Sequence, residues 1–364
     1  MERPRIRDLG VKIGFFPTGP RNNIADVEGV TVGHCTLIKG KGKLVPGKGP
    51  VRTGVTVILP HGGNVFKEKV VAASYIINGF SKPVGLIQVE ELGVIETPIA
   101  LTNTLNIGLV ADAIIEYSLI HNEDIGVTTG SVNPLVLECN DSFLNDIRGR
   151  HVKREHVFQA IENSCEDFAE GAVGAGTGMI AFEFKAGIGS SSRRLPGKYG
   201  GYTIGALVLS NFGRRENLVI KNAPVGLELK DYKRIFKPLD LGSIIVVLAT
   251  DAPLTYRQLK RVAKRAAHGI ARVGGCSLHG SGDVVVAFST ANRILHYPKK
   301  LEIEFKCIPD VKLSPLLHAT VECVEEAILN SILRAETMDG RDNRVVHAIP
   351  VDILTSILTK YNVI

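Results

Sequence analysis

The sequence predicts one domain of the α/β or α+β class, with β-sheets covered by helices. The chain has 364 residues, of which 45% are hydrophobic, so it can build a sizeable core. Short runs rich in β-branched residues alternate with segments whose apolar residues recur at helical spacing. No Pro/Ser-rich linker and no internal repeat divides the chain, so we expect all of these segments to pack into a single unit.

The predicted strands are apolar runs bounded by glycine or proline. They cover residues 29–38, 54–60, 83–89, 202–213, 243–250 and 283–290. Two stretches rich in glycine lie between the predicted elements, and they are typical of surface loops. They cover residues 45–54 and 187–201.

Three longer segments have the periodicity of helices covered on one face. They are residues 103–120, 255–273 and 314–336. In the second segment, Leu259, Val262 and Ile270 share one face, and the lysines and arginines lie on the other. The third opens with Ser314 as a candidate N-cap and Pro315 in the first turn.

Composition and charge exclude several classes of function. The net charge of +6 is spread thinly, and the chain has no basic tail and no tryptophan, which disfavours nucleic-acid binding. The charged start, "MERPRIRDLG", is unlike a signal peptide, and no apolar stretch approaches the roughly 20 residues that span a bilayer. The six cysteines form no Cys-x-x-Cys pair. We therefore expect a cytoplasmic protein with reduced thiols that binds neither nucleic acid nor membranes.

Two kinds of ligand site lack support. The segment "EGAVGAGTGM" (170–179) has Gly-x-Gly-x-Gly spacing, whereas a dinucleotide fingerprint needs Gly-x-Gly-x-x-Gly after a strand. The preceding residues 161–171 look helical, so chance or backbone packing explains these glycines better. The ten histidines are scattered and His-Glu-x-x-His is absent, which disfavours a metal site. We expect no cofactor.

A Gly-Ser pair stands where a buried strand is predicted to begin. Such a pair is commonly an ordinary turn ahead of the strand. The alternative is that the chain is cut between Gly242 and Ser243. The segment "HGSGDVVVAF" (279–288) places Ser281 and Asp283 just before another predicted strand. If the two strands are neighbours, Ser243 could attack, Ser281 could relay or hold a proton, and Asp283 could polarise Ser281.

Ser243 lacks the usual base. No histidine is placed to serve it, and the Gly-x-Ser-x-Gly elbow is missing. A nucleophile at a chain terminus uses its own α-amine, whose ordinary pKa is about 7.7–8.0. That chemistry requires hydrolysis of the Gly242–Ser243 bond. Gly242 has no Cβ, so a hydroxyl can approach its carbonyl. From the residues alone, the turn and the cleavage site both stay open.

Long blocks of the chain resemble the L-aminopeptidase/D-esterase family, which includes β-peptidyl aminopeptidases and D-aminopeptidases. The blocks occur in order and run through nearly the whole sequence. They are "RIRDLG" (5–10), "NNIADVEGVTVGHCTL" (22–37), "RTGVTVILPHGGNVF" (52–66), "ELGVIETPIALTNTLNIG" (91–108), "GSVNPLVLECNDSFLNDIRG" (130–149), "EGAVGAGTGM" (170–179), "LVLSNFG" (207–213), "GSIIVVLATDAPL" (242–254), "GSGDVVVAFSTAN" (280–292) and "NSILRAETMDGRD" (330–342).

This resemblance implies an architecture and a processing event. The fold would be an α+β, four-layer α/β/β/α sandwich, similar to the N-terminal-nucleophile hydrolases but with a different strand connectivity. The single catalytic domain, residues 1–364, would cleave itself before Ser243. The products would be an α chain, 1–242, and a β chain, 243–364.

The resemblance also implies roles for the candidate site residues. Ser243 would be the nucleophile and Asn211 the oxyanion-hole amide, and Ser281 and Asp283 would support them. Some family members carry Glu where Asp283 stands. The segment with Glu138, Asn140 and Asp141 is expected near the substrate's ammonium group, although other members place a Tyr in this block and this chain has none.

The expected function is therefore a self-processing serine-type aminopeptidase that acts on small peptides, amides or esters. It would need no metal or organic cofactor, and it would form a homo-oligomer of αβ units. One alternative is an acyltransferase resembling the ornithine acetyltransferases, which process before a Thr. The other is a non-enzymatic ligand-binding protein that retains the fold.

Overall fold

The computed structural model describes residues 3–234 and 242–364. Its strands, in chain order, are β1 Thr31–Lys39, β2 Val51–Leu59, β3 Glu68–Gly79, β4 Val94–Ile95, β5 Ile99–Asn103, β6 Leu135–Cys139, β7 Ile180–Ala181, β8 Phe184–Lys185, β9 Ile188–Arg194, β10 Thr203–Asn211, β11 Gly242–Thr250, β12 Ser281–Leu295, β13 Met338–Asp339 and β14 Val345–Val346. Its helices are α1 Leu86–Leu92, α2 Ile107–His121, α3 Arg154–Glu162, α4 Val225–Glu228, α5 Tyr256–Ala263, α6 Ala266–Arg272, α7 Ser314–Leu333 and α8 Val351–Lys360.

Two large sheets organise the described residues. The first has four strands in the order β1-β2-β5-β6, and only its β5–β6 pair is parallel. The second has six strands in the order β4-β3-β12-β11-β10-β9, and only its β11–β12 pair is parallel. The predicted strands that begin at Ser243 and at Asp283 are therefore neighbours.

The two sheets pack face to face, and helices cover their outer faces. Ile58 and Leu137 of the first sheet meet Val247 of the second in an apolar layer between the sheets. Helices α2 and α3 cover the outside of the first sheet. Helices α5, α6 and α7 cover the outside of the second. The predicted four-layer α/β/β/α sandwich is confirmed.

Strand β11 shows why the sequence indicated a buried strand so clearly. Successive side chains of a strand point to opposite faces. Ile244 and Val246 join the core under the helices, whereas Ile245 and Val247 join the core between the sheets. Because both faces are buried, the strand is a continuous apolar run rather than an alternating one.

The predicted strand at 83–89 is wrong. Most of that run belongs to helix α1, which is preceded by Gly85 and followed by Gly93. Both glycines have positive φ values, 88° and 67°, the left-handed conformation that turns the chain into and out of this short helix. A brief apolar run fits a strand and a buried helix equally well by periodicity, which is why the pattern misled.

The predicted loop at 187–201 is also wrong, because its first half is the buried strand β9. The serine hydroxyls find backbone acceptors: Ser190 Oγ donates to Ala206 O at 2.6 Å, and Ser191 Oγ donates to Cys323 O at 2.7 Å. Polar side chains can therefore lie in this core, since their hydrogen bonds are satisfied. The other predicted loop, 45–54, gives way to β2 at Val51.

The three predicted helical segments are helical in the structure, but the helices begin and end at other residues than predicted. The segment 255–273 forms two helices, α5 and α6, and the segment 103–120 becomes helical only from Ile107. Leu313, not Ser314, occupies the N-cap position of α7. The helix expected over 161–171 is wrong, since α3 ends at Glu162. No described helix is long and apolar enough to cross a membrane.

Candidate active site

Three neighbouring strands bring the predicted site residues to one edge of the second sheet. Asn211, the last residue of β10, pairs with Ser243 on β11. Ser243 pairs in turn with Gly282 on β12, and Gly242 pairs with Ser281. Residues far apart in the sequence therefore meet here, because β11 lies between an antiparallel and a parallel neighbour.

The Ser243 side chain is buried against the peptide bond that precedes it. Its Oγ donates a hydrogen bond to the Gly242 carbonyl oxygen at 2.5 Å. The same Oγ accepts a hydrogen bond from the Gly282 N–H at 3.3 Å. Only 5% of Ser243 is exposed. The hydroxyl is thus held beside the carbonyl group of the Gly242–Ser243 bond, where an attack on that bond would begin.

Ser281 and Asp283 form a hydrogen-bonded pair beside Ser243. Ser281 Oγ donates to Asp283 Oδ1 at 2.6 Å, and the Ile244 N–H donates to the same oxygen at 3.2 Å. Burial raises the pKa of the Asp283 carboxyl, and hydrogen bonds from Ser281, Ser277 and the Ile244 N–H act in the opposite direction. Through its two hydrogen bonds, Asp283 Oδ1 holds both the Ser281 hydroxyl and the peptide group that follows Ser243.

Sequence reasoning missed Asn78, which supports this pair from β3. Its Nδ2 donates to the carbonyl oxygens of Leu278 at 3.0 Å, His279 at 3.1 Å and Ser281 at 2.5 Å. Asn78 pairs with Asp283 across the sheet. No signal in the sequence pointed to it, because strand β3 itself was not predicted.

The Asn211 carboxamide is held from both ends. Its Oδ1 accepts a hydrogen bond from the Ile180 N–H at 3.1 Å, and its Nδ2 donates to the Asn140 carbonyl oxygen at 2.9 Å. A carboxamide nitrogen carries two hydrogens, so one remains for a further acceptor. The Ile180 contact fixes which end of the amide is the nitrogen, because an N–H requires an oxygen opposite it.

Glu138 lies at the end of β6 with its carboxylate buried. Its Oε1 accepts hydrogen bonds from Ser81 Oγ at 2.9 Å and from the Lys82 N–H at 3.0 Å. Its Oε2 accepts one from the Thr104 hydroxyl. A carboxylate has about four lone-pair positions. Three donors therefore leave room for one more at Oε2.

Asn140 contributes its backbone rather than its side chain to the contacts around Asn211. Its carbonyl oxygen accepts from Asn211, whereas its exposed side-chain Oδ1 accepts from the Ser142 N–H at 2.9 Å. The next residue, Asp141, is fully buried and accepts from Asn145 Nδ2 at 3.0 Å. Of the three polar residues in this segment, only Asn140 has an exposed side chain.

The glycines at 174, 176 and 178 serve backbone packing. A Cβ at Gly176 would lie 2.6 Å from Ile188 N, and one at Gly178 would lie 2.4 Å from Arg52 O. A side chain at either position would force neighbouring backbone apart. Within residues 3–234 and 242–364, no group of three or more His, Cys, Asp or Glu side chains is placed to hold a metal ion.

The four-layer sandwich, with a buried serine at the start of a central strand, defines the class of the N-terminal-nucleophile hydrolase fold. Within that class, the chain belongs to peptidase family S58, whose model matches residues 22–346. The family and the peptidase function predicted from the sequence are confirmed.

Relatives align with almost the whole chain. The beta-peptidyl aminopeptidase BapA of Sphingosinicella microcystinivorans is 41% identical over 99% of this chain and 93% of its own length. The PH0078 protein of Pyrococcus horikoshii OT3 is 64% identical, with a TM-score of 0.94 and 99% of both chains covered.

A third relative connects the fold with an activity. The L-aminopeptidase D-Ala-esterase/amidase of Ochrobactrum anthropi is 38% identical, with a TM-score of 0.90 over 99% of both chains. That enzyme is described as a prototype for the serine aminopeptidases and as a new variant among the Ntn hydrolase fold.

Proposed function

We propose that this chain is a self-processing serine aminopeptidase that removes N-terminal residues from small peptides, amides or esters. One observation carries the proposal: Ser243 Oγ lies against the Gly242 carbonyl, and the strand pairing places Ser243 between Asn211 on β10 and the start of β12, which carries the Ser281–Asp283 pair. The named activities of the relatives support it, because they are aminopeptidases of the same fold.

Processing begins at the Gly242–Ser243 bond. Ser243 Oγ attacks the Gly242 carbonyl carbon, the C–N bond breaks, and an ester forms between Gly242 and the serine oxygen. The hydroxyl proton passes to the departing nitrogen. Water then hydrolyses the ester, which leaves a carboxylate on Gly242 and a free α-amine and hydroxyl on Ser243. The products are the chains 1–242 and 243–364 of one catalytic domain.

Turnover uses the groups that processing releases. The α-amine of Ser243 takes the Oγ proton as the oxygen attacks the acyl carbon of the substrate. The unused Nδ2 hydrogen of Asn211 donates to the oxyanion, and one such donor stabilises the transition state by about 2.7–4 kcal/mol. The leaving amine takes up the proton, and water releases the acyl group from Ser243.

Glu138 supplies the preference for a free N-terminus. A carboxylate attracts the substrate ammonium, and a charge-assisted hydrogen bond is stronger than one between neutral groups. The open position on Glu138 Oε2 is the acceptor. Ser81 and Thr104, which donate to the carboxylate, keep it in one orientation.

We further propose that the enzyme acts in the cytoplasm as a homo-oligomer of two-chain units, without a metal or organic cofactor. These expectations come from the family resemblance and from the composition of the chain. The oligomer is checked by light scattering of the purified enzyme, which should give a mass above that of one unit.

A panel of aminoacyl p-nitroanilides tests the activity. Substrates with a free amine should be hydrolysed, and their N-acetylated forms should not. Glu138→Gln should raise KM for the free amines, whereas Ser243→Ala should abolish turnover. Equal rates on free and acetylated substrates would contradict the role of Glu138.

Two further assays separate the alternative functions. Covalent labelling of Ser243 by a serine-directed acylating reagent is expected of an enzyme and not of a ligand-binding protein that retains the fold. Acetyl transfer to glutamate, without hydrolysis of p-nitroanilides, would instead indicate the acyltransferase.

A further inference from the structure

Lys185, at the end of β8, is a fully buried cation without a part in the mechanism above. Its Nζ donates to three carbonyl oxygens: Met179 at 2.8 Å, Gly176 at 3.2 Å and Ala186 at 2.5 Å. None of the ion pairs in the described part of the chain involves Lys185. Burial lowers the pKa of its ammonium group to about 7. A buried charge without a carboxylate partner is costly, so its contacts need an explanation.

One peptide group connects Lys185 to the candidate oxyanion hole. The carbonyl of Met179 accepts from Lys185, and the N–H of the same peptide, which belongs to Ile180, donates to Asn211 Oδ1 at 3.1 Å. Asn211 in turn stands opposite Ser243. Lys185, the peptide and the carboxamide thus form a continuous chain of hydrogen bonds that ends at Asn211 Nδ2.

Hydrogen bonds in such a chain polarise one another. When Lys185 is protonated, its charge at the carbonyl end withdraws electron density from the peptide, which makes the Ile180 N–H a stronger donor to Asn211 Oδ1. That contact makes the Asn211 Nδ2 hydrogens stronger donors in turn. It also disfavours a flipped carboxamide, in which an oxygen would face the oxyanion and repel it.

We propose that Lys185 is a positioning residue of the oxyanion hole, which holds the Met179–Ile180 peptide and through it orients and polarises the Asn211 carboxamide. This inference rests on the proposed role of Asn211 in the aminopeptidase reaction. Lys185 itself touches neither the substrate nor Ser243, and it acts only through the intervening peptide.

Arg52 provides a matched control, because it is another buried cation that donates to backbone carbonyls. Its guanidinium donates to the carbonyl oxygens of Lys39, Gly40, Val51 and Asp339 and to the Asp339 carboxylate. None of these contacts reaches Asn211. Arg52→Met removes five hydrogen bonds and Lys185→Met removes three, so Arg52→Met reports a loss of stability at least as severe, without a contact to Asn211.

The test compares Lys185→Met and Lys185→Gln in the wild type and in an Asn211→Ala background. Rates on an aminoacyl p-nitroanilide are expressed per cleaved chain, with cleavage measured by denaturing mass spectrometry. Lys185→Met should lower kcat by about 10- to 100-fold, less than loss of the donor itself, and leave KM within about twofold. Lys185→Gln keeps neutral hydrogen-bond donors, so it should lower kcat less than Lys185→Met does. Arg52→Met should lower Tm and keep kcat.

The double variant separates positioning from stability. If Lys185 acts through Asn211, Lys185→Met should change kcat by less than about twofold in the Asn211→Ala background. The effects of substitutions at two coupled residues are not additive. An equal fold-decrease of kcat in the wild-type and Asn211→Ala backgrounds would overturn the proposal. So would a wild-type kcat in both folded Lys185 variants, or failure of both to fold while Arg52→Met folds. An inactive wild type would instead contradict the proposed function.

Discussion

Asn211 illustrates how few atoms the proposed chemistry depends on. Its amide oxygen and one amide hydrogen are held by the Ile180 N–H and the Asn140 carbonyl, so the second hydrogen has a fixed direction. The strand pairing places Asn211 opposite Ser243. The residue is 2% exposed, so water competes little for the donor.

Asn211→Ala should therefore fold and lose most of its turnover. We expect kcat to fall by about 10²–10³, the usual effect of removing one oxyanion donor. Steady-state kinetics on an aminoacyl p-nitroanilide measure it. Asn217→Ala is the control, since within the described residues the one hydrogen bond of Asn217 Nδ2 is to Cys276 Sγ, at 3.6 Å, and its loss should leave kcat unchanged. A fall of less than about threefold in Asn211→Ala would rule out this oxyanion donor.

Asp141 should make stability depend on pH. Burial raises the pKa of its carboxyl to about 7, against hydrogen bonds from Thr53, Asn145 and Asn103, and its Oδ2 has no hydrogen-bond partner in residues 3–234 and 242–364. The folded chain holds the Asp141 proton more tightly than the unfolded chain, so protonation stabilises the folded state. This contribution to the free energy of unfolding is complete below the unfolded pKa of about 3.9, and it is lost as the pH rises through about 7.

Asp141→Asn removes this titration while keeping the size of the side chain. Relative to the variant, the wild type should lose stability between about pH 4 and pH 7, by at most about 1.4 kcal/mol per pH unit. Chemical denaturation of the two proteins across that range measures the difference. Parallel curves, or a wild type that gains stability with pH, would contradict the assignment.

The candidate site residues that the sequence pattern indicates are those at the starts of strands. Ser243, Ser281 and Asp283 stood out because a polar group in front of an apolar run is conspicuous, and the family resemblance then supplied their expected roles. Lys185 and Asn78 did not stand out. Their partners are backbone carbonyls whose positions only the tertiary structure determines.

At the scale of elements, periodicity identified β1, β2, β10, β11 and β12 but missed β3, β5, β6 and β9, and β9 shows how buried polar residues hide a strand. Strand β9 contains three consecutive serines, Ser190, Ser191 and Ser192, all buried with their hydroxyls hydrogen-bonded. Single-sequence patterns treat serine and glycine as loop residues. The acceptors for these hydroxyls lie on other elements, so the local sequence could not indicate them.

Two glycines of this mispredicted segment give opposite predictions. A Cβ at Gly189 would lie 2.1 Å from Ala327 O on α7, whereas one at Gly197 would meet nothing within 4 Å. Gly189→Ala should therefore reduce the free energy of unfolding by about 1–3 kcal/mol or more, through overpacking between β9 and α7. Gly197→Ala should change it by less than about 0.5 kcal/mol. Thermal unfolding of both variants is the measurement, and equal Tm values would contradict the packing described for β9.

At the scale of the whole molecule, the proposed cut does not divide the fold into two bodies. The second sheet draws β3, β4, β9 and β10 from the segment 1–242, and it draws β12 and all of β11 except Gly242 from the segment 243–364. Buried ion pairs also cross the boundary: Arg193 contacts Glu322 at 3.0 Å and Glu326 at 2.6 Å. Arg7 contacts Glu326 at 2.7 Å.

The two chains should therefore stay together after cleavage. Removing one partner of a buried ion pair typically costs about 3–5 kcal/mol, and separation would also break the strand pairing on both sides of the sheet. Size-exclusion chromatography in native buffer should give the cleaved enzyme the same elution volume as the uncut Ser243→Ala chain. Dissociation of the chains without denaturant would contradict the shared sheet.

In the proposed mechanism, Ser243 cuts the chain in front of itself and then serves as the nucleophile. Denaturing mass spectrometry of the purified wild type tests it most directly, with the turnover of the same sample measured in parallel. We predict two species, residues 1–242 and residues 243–364, the second beginning at Ser243, and an intact, inactive Ser243→Ala chain. A single intact wild-type chain with full activity, or an active Ser243→Ala variant, would contradict the mechanism and leave Gly242–Ser243 as the ordinary start of β11.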